Sequence, residues 1–475
     1  MKIPEDKNGK TMSPQANNEV SLKRALGLFT STMLVVGLMI GSGVFKKIVP
    51  MAQTGLSESA ILMAWLAAGI ITLFGAFTLS GFASLTEESG GIYEYFRLSF
   101  GNFLAFLSGW GSFTIIDGGA CAALGFLFGQ TINTVIPLSN PFQSLEHISI
   151  AGFIFPFADF GVKLAGMASI LAVTAVNYFG VREGGVFNNI ITVAKVGGIL
   201  ILIVFGLTYS SPEVTAASEV INVPESTTFY SAFLTSMLAA FWAYNGWDVV
   251  TNVSGEMINP KRNLPLALTF GCLLLMALYI IVNYVYMRVV PLEVLRSAGS
   301  NEIGAFIVAR TLLGSQGQLM LLMLFLICVF GALNSNMVTV PRKYFRMAQE
   351  GYFFKSAKKV HPKFRTPHVS LIYTLLISCV LLISGTFELL TDMVIFTSYV
   401  FFGLLSFAVI RMKMNGTIKG KVVGYPVVPM VFLVFTIALS MNTIWVEPKQ
   451  SLLGALLILS GVPFYYYFKW QKEKA

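Results

Sequence analysis

About twelve apolar stretches, each roughly 20 residues long, run the length of this chain and are joined by short polar connections. Twenty residues of helix rise about 30 Å, the thickness of a bilayer's hydrocarbon core. Only 12% of the 475 residues are charged and 55% are hydrophobic; a soluble domain has roughly 25% charged residues. No soluble core accommodates so many apolar blocks. In lipid every backbone N–H and C=O must find an internal partner, and a helix supplies its own. The expected fold class is therefore all-α integral membrane, with about 12 transmembrane helices.

The candidate spans lie at roughly 25–49, 60–84, 102–130, 158–179, 186–209, 229–252, 266–289, 317–341, 368–384, 389–411, 426–445 and 450–469. An even number leaves both termini on one side. The stretch 341–366 carries Arg342, Lys343, Arg346, Lys355, Lys358, Lys359, Lys363 and Arg365. Lys261 and Arg262 follow the sixth span, and Arg411, Lys413, Lys419 and Lys421 follow the tenth. All fall on the side of the N-terminus, while 210–228 and 385–392 have no Lys or Arg. Lys46, Lys47, Arg288, Arg296 and Arg310 run against the trend. The bulk predicts cytoplasmic termini in a plasma (inner) membrane protein. Residues 1–24 are polar and mixed in charge, read as a cytosolic tail rather than a signal peptide.

The net charge of +9 is thus a topology signal and not a nucleic-acid footprint. The four cysteines, Cys121, Cys272, Cys328 and Cys379, each sit in an apolar block and read as small buried hydrophobes. His147, His361 and His368 form no metal-ligand spacing. No nucleophile–base motif and no phosphate-binding glycine loop occurs, so neither an enzyme, a metal nor a cofactor is expected.

Two spans are interrupted. The first breaks at Gly41-Ser42-Gly43, and the sixth at Ala243-Tyr244-Asn245-Gly246. Five spans separate equivalent positions, and an odd repeat must be inverted in the membrane. The reading is a first repeat over 25–209, a second over 210–411, and two extra helices with the C-terminus over 412–475. Interrupted helices at matching places in two halves point to a transporter binding site.

The physics of the break says what such a site holds. Unwound backbone survives in a bilayer only where it is buried in protein or lines a cavity. The first half-helix ends near Ile40 with unpaired carbonyls; the second begins near Val44 with unpaired N–H groups. A free α-amino acid has a carboxylate and an ammonium on one carbon. The N–H groups of Ser42, Gly43 and Val44 suit the carboxylate. Carbonyls near Ile40, and those of Trp242, Ala243 or Asn245, suit the ammonium. The plainer alternative is that Gly-Ser-Gly only lets helices pack closely.

Five stretches then match a family in order: Gly41–Phe45 (GSGVF), Glu88–Gly101 (ESGGIYEYFRLSFG), Thr174–Val181 (TAVNYFGV) with Ile191–Ile199 (ITVAKVGGI), Phe241–Leu268 (FWAYNGWDVVTNVSGEMINPKRNLPLAL) and Gly331–Phe353 (GALNSNMVTVPRKYFRMAQEGYF). The chain resembles the L-type amino acid transporters and their bacterial relatives, within the amino acid–polyamine–organocation superfamily. The resemblance implies two five-helix inverted repeats with broken first and sixth helices plus two further helices, and an amino acid exchanger working by alternating access. It places Trp242 where the family has an aromatic gate; the bland reading is a packed aromatic. Animal members bond to a single-span glycoprotein through a cysteine after the third span. Residues 131–157 have no cysteine, so no disulfide-linked heavy chain is expected. Asn245 stands where members with larger substrates often have glycine, which argues for serine-, threonine- or alanine-like substrates.

Lys195 lies well inside the fifth span, flanked by Ala194 and Val196. A charge there is costly and marks function by default. Sodium-dependent carriers of this fold hold a cation between the first and eighth helices, and the family lysine fills that space. Lys195 is read as a built-in cation that makes transport sodium-independent, its ammonium donating near Gly37–Ile40; the alternative is a lysine snorkelling to the headgroups. Asp248 follows the second break and Asp117 lies in the third span. Either is a candidate proton carrier, although Asp248 also suits a helix cap and Asp117 the wall of a wet vestibule. Two rivals follow: a proton-coupled importer of the same fold, and a channel or sensor that binds amino acid without carrying it.

Overall fold

The computed structural model describes residues 26–474 apart from 87, 89, 151–153, 180–183, 210–222, 225–226, 300–301 and 365. The tail 1–24 lies outside the described residues, as does most of the connection at the start of the second repeat. Ten described helices are long and apolar enough to cross a membrane. They are Leu28–Lys46, Glu58–Ser84, Asn102–Asn133, Phe160–Tyr178, Asn188–Thr208, Pro260–Val289, Gly304–Gln349, Phe387–Met414, Val427–Val446 and Pro448–Glu473. The shorter His368–Ser384 and the interrupted pair Phe229–Tyr244 and Asp248–Glu256 complete a fold of about 12 helices. In chain order these are spans one to twelve.

Their layering follows from who faces lipid. In span three 83% of the apolar window is buried within the protein, whereas in spans eleven and twelve the share is 28%. Span three is therefore the central post and the last two spans are peripheral. Small residues let the post pack tightly: a Cβ on Gly129 would lie 2.1 Å from the Val162 carbonyl oxygen, and one on Gly166 2.6 Å from that of Gly125. Outward-facing Leu200, Ile201, Val204 and Phe205 on span five, and Val434, Ile437 and Met441 on span eleven, are exposed apolar side chains that lipid would cover.

The span limits differ from the sequence reading mainly at the eighth helix. It begins at Gly304, not near 317, and continues to Gln349, with a kink at Gly314 where φ is +63°. Glycine is the residue that takes that conformation without strain. Charged residues such as Arg310 hid its start from a hydropathy reading.

Both interruptions are present. Span one is helical over Leu28–Met39, opens at Ile40, Gly41 and Ser42, and resumes as Gly43–Lys46. Span six is helical over Phe229–Tyr244, leaves the helix at Asn245, and resumes as tighter 3₁₀ turns over Asp248–Glu256. The two breaks lie against each other. A Cβ on Gly43 would fall 2.4 Å from the Ala243 Cα, so only glycine permits this approach.

Candidate functional site

The first half of span one ends with carbonyls that have lost their helical donors. Gly41 N–H turns back to the Met39 carbonyl at 2.9 Å instead of serving Gly37. The Lys195 ammonium supplies what is missing: Nζ donates to the carbonyls of Gly37 at 3.0 Å and Ile40 at 2.8 Å. A cation at the negative end of a helix is the favourable arrangement. Lys195 is fully buried, which excludes a snorkelling lysine. Gly331 of span eight makes room for it; a Cβ there would sit 2.8 Å from Lys195 Cε. Asn188 and Thr192, two turns and one turn earlier, donate to the Met33 carbonyl at 3.5 and 3.4 Å. Span five thus grips span one along one face.

Tyr279 of span seven ties the two breaks together. Its hydroxyl lies 3.0 Å from the Met39 carbonyl and 3.1 Å from that of Ala243, and its one proton serves either. Sequence reasoning missed this residue. The signal was present as a phenol inside an apolar span, but tyrosine is too common in membrane helices to single out.

A cavity of about 40 Å³ opens between the breaks, lined by Gly41, Ser42, Gly43, Trp242, Asn245, Gly246 and Asp248, with Asp117, Leu124 and Asn336 opposite. Of the sequence-derived candidates, the structure brings Gly41, Ser42, Gly43, Trp242, Asn245, Asp117 and Asp248 to its wall. Ile40, Val44, Ala243 and Lys195 stand one layer back. That corrects the expectation for the carbonyls: Ile40 O already accepts from Lys195, Ala243 O from Tyr279 and Trp242 O from the Asn245 N–H at 3.3 Å. Each keeps one lone pair, but none is bare. Asp248 is the first residue of its half-helix, after Trp247 at the capping position, and its carboxylate is in reach of its own backbone N–H. Asn336 was also missed, although a polar amide mid-span is itself a functional signal.

Asp117 enters the cavity from a π-helical turn, Ser112–Ile116, that bulges span three just before it; such bulges often mark functional positions. Its Oδ2 accepts from Lys343 Nζ at 2.9 Å and Tyr344 OH at 2.6 Å.

On the side away from Leu26 the cavity is roofed by aromatic rings. Trp242 donates through Nε1 to Ser42 Oγ at 3.0 Å. Phe387 meets Trp242 edge-on at 5.7 Å. Above Phe387 lie the two lysines that broke the charge rule, with Nζ of Lys46 4.5 Å and of Lys47 5.0 Å from the ring centre. Both are buried because both are partnered: Lys46 with Gln130 at 3.3 Å, Lys47 with Glu388 at 2.5 Å and Thr391 at 3.0 Å. On the opposite side Arg342 pairs with Glu256 at 2.5 Å, and Leu26 exchanges backbone hydrogen bonds with the strand-like turn at Glu256–Ile258, at 3.0 and 2.9 Å.

A sequence profile described as amino acid permease matches residues 26–467, nearly the whole chain. The chain belongs to the amino acid permease family. It is a membrane transporter of amino acids and not an enzyme. It is similar to the serine/threonine exchanger SteT of Bacillus subtilis, 30% identical over 95% of this chain and 98% of that protein. It is also 27% identical to the mouse b(0,+)-type amino acid transporter 1, over 95% of this chain and 89% of the relative. The human large neutral amino acids transporter small subunit 2 is 27% identical, over 96% and 82%. In this permease the paired breaks and the cavity between them are therefore the candidate substrate site.

Proposed function

We propose that this permease exchanges small neutral L-amino acids of the serine, threonine and alanine type, without sodium, by alternating access in the plasma membrane. The observation that carries the reading is the cavity shared by the two breaks. Its volume of about 40 Å³ compares with roughly 10–15 Å³ needed for one water, which favours a short side chain. In the proposed pose the substrate carboxylate meets the N–H groups of Ser42, Gly43 and Val44, and its ammonium the second lone pairs of the Trp242 and Ala243 carbonyls. Trp242 closes over it.

Sodium independence rests on Lys195. Its ammonium is tethered against Gly37 and Ile40 and faces Gly331 of span eight, so the place of a coupling ion is filled by the chain. Exchange finds support in the names of relatives, one of which is described as an exchanger. Cytoplasmic termini and the division into repeats at 25–209 and 210–411 belong to the same reading. That no heavy chain is attached by a disulfide is supported by the position of the cysteines: Cys121, Cys272 and Cys328 are buried and Cys379 is half-buried, all within spans.

The test is uptake of radiolabelled L-serine into sodium-free proteoliposomes, either preloaded with unlabelled neutral amino acid or empty. Strong uptake only into loaded vesicles is expected. Equal uptake into both overturns obligate exchange, and uptake that follows an imposed pH gradient transfers the function to proton coupling through Asp117 and Asp248. Saturable binding with no flux would make the protein a sensor.

A further inference from the structure

Backbone recognition at the breaks is blind to the side chain, so the choice among amino acids falls to the side chains around the rest of the cavity. There span three, span six and the end of span eight bring together Asp117, Asp248 and Lys343. Asp117 and Lys343 are 2% and 3% exposed. A buried carboxylate and ammonium without partners would be strongly unfavourable; here each partners the other, and Tyr344 adds a third hydrogen bond. Both of these bonds fall on Oδ2, and no other donor among the described residues serves Oδ1 of this cavity-lining residue. Asp248 lines the same cavity, its carboxylate near Lys343 and Asp117 and in reach of its own backbone N–H. The wall therefore holds an open acceptor, Oδ1 of Asp117, on a carboxylate fixed by a lysine that repels a cationic side chain.

We propose that Asp117 and Asp248 are the specificity-determining residues, accepting the hydroxyl of a β-hydroxy amino acid, and that Lys343 is the positioning residue that holds the Asp117 carboxylate in register. This rests on the exchange reading and deepens it by naming the substrate class. Three features converge on it. Asp117, directly after the π-turn at Ser112–Ile116, lines the cavity. The cavity leaves space for a short side chain only. Finally, Lys343 disfavours an ammonium where two carboxylates alone would attract one.

The discriminating ligands are threonine and valine, which have the same shape and differ by a hydroxyl for a methyl. A site built to accept a hydroxyl rejects the analogue lacking it, and one hydrogen bond to a charged group corresponds to about 10- to 100-fold. In sodium-free exchange by the wild-type protein, threonine should outcompete valine against labelled serine by at least about 10-fold. In Asp117→Asn and Lys343→Met, the ratio should collapse through a higher KM for threonine, with valine little changed. Tyr344→Phe, which removes one donor but keeps the ion pair, should retain most of the preference. Equal exchange of threonine and valine by the wild type overturns the proposal, even if every variant fails to fold. So does an undiminished ratio in a folded Asp117→Asn. Absence of exchange with any amino acid overturns the carrier reading itself and this assignment with it.

Discussion

The Lys195 ammonium sits 2.8 Å from the carbonyl oxygen of Ile40, where the next helical turn would have put an N–H. One side chain from span five thus ends the first half of span one. The break is held open from outside by a residue that does not itself line the cavity, so a change at Lys195 should act on motion before it acts on recognition.

Lys195→Met keeps the buried length and removes the donor. It leaves the Gly37 and Ile40 carbonyls without a partner in a region where each such group costs several kcal/mol. The exchange rate should fall by at least about 10-fold, with a smaller change in KM, because a loss of 1.4 kcal/mol is already tenfold. Proteoliposome exchange at saturating serine measures this; an unchanged rate and sidedness would sink the role.

Trp242 is held by two contacts of different kinds, the hydrogen bond to Ser42 and the edge contact with Phe387. Trp242→Phe removes the first and keeps the second. KM should rise by roughly 5- to 10-fold, the effect of one buried hydrogen bond near 1 kcal/mol. Trp242→Ala removes both and opens the roof. Preloaded vesicles should then lose labelled serine into amino-acid-free buffer, a leak not expected of the proposed exchanger.

Gly43 and Gly41 look alike in the sequence and differ in the fold. Gly43→Ala would set a methyl 2.4 Å from the Ala243 Cα, against backbone that cannot yield, whereas the nearest atom to a Cβ on Gly41 is the Ala332 Cβ at 3.4 Å. Overpacking of this kind costs about 1–3 kcal/mol. In detergent, Gly43→Ala should lower the midpoint of thermal unfolding by several degrees and Gly41→Ala by little. Equal shifts would show that the two breaks do not pack as tightly as described.

The breaks themselves were readable because Gly-Ser-Gly and Tyr-Asn-Gly contradict their own surroundings: a helix-favouring run does not spell them without cause. Lys195 was readable for the same reason, as a charge among Ala, Val and Gly. What could not be read was register. Ile40, Val44 and Ala243 belong to the right segments but stand a layer behind the cavity wall, and a rotation of one residue about a helix, 100°, decides which side chain or carbonyl faces in. Tyr279 and Asn336 escaped because nothing in their own spans marks the face they present. Lys46 and Lys47 were visible only as exceptions to a charge rule; their partners, Gln130 and Glu388, are 84 and 341 residues away in the chain.

That last pair gives a further prediction. Lys47 caps the short second half of span one and Glu388 lies at the start of span ten, and between them they clamp the roof above Phe387 and Trp242. Lys47 is 1% exposed but Glu388 is 38% exposed, so solvent screens the pair and its worth is about 1 kcal/mol or less. That is enough to bias a gate without locking it. Glu388→Gln should weaken the clamp and shift the population toward a roof-open state by roughly 2- to 5-fold, read as faster modification of a cysteine introduced at Ser42 by a water-soluble thiol reagent. Lys47→Met should do the same, because it removes the other half of the clamp. The exchanged pair Lys47→Glu with Glu388→Lys should restore the slow modification. If it instead resembles the sum of the two single changes, the contact is a consequence of closure and not one of its causes.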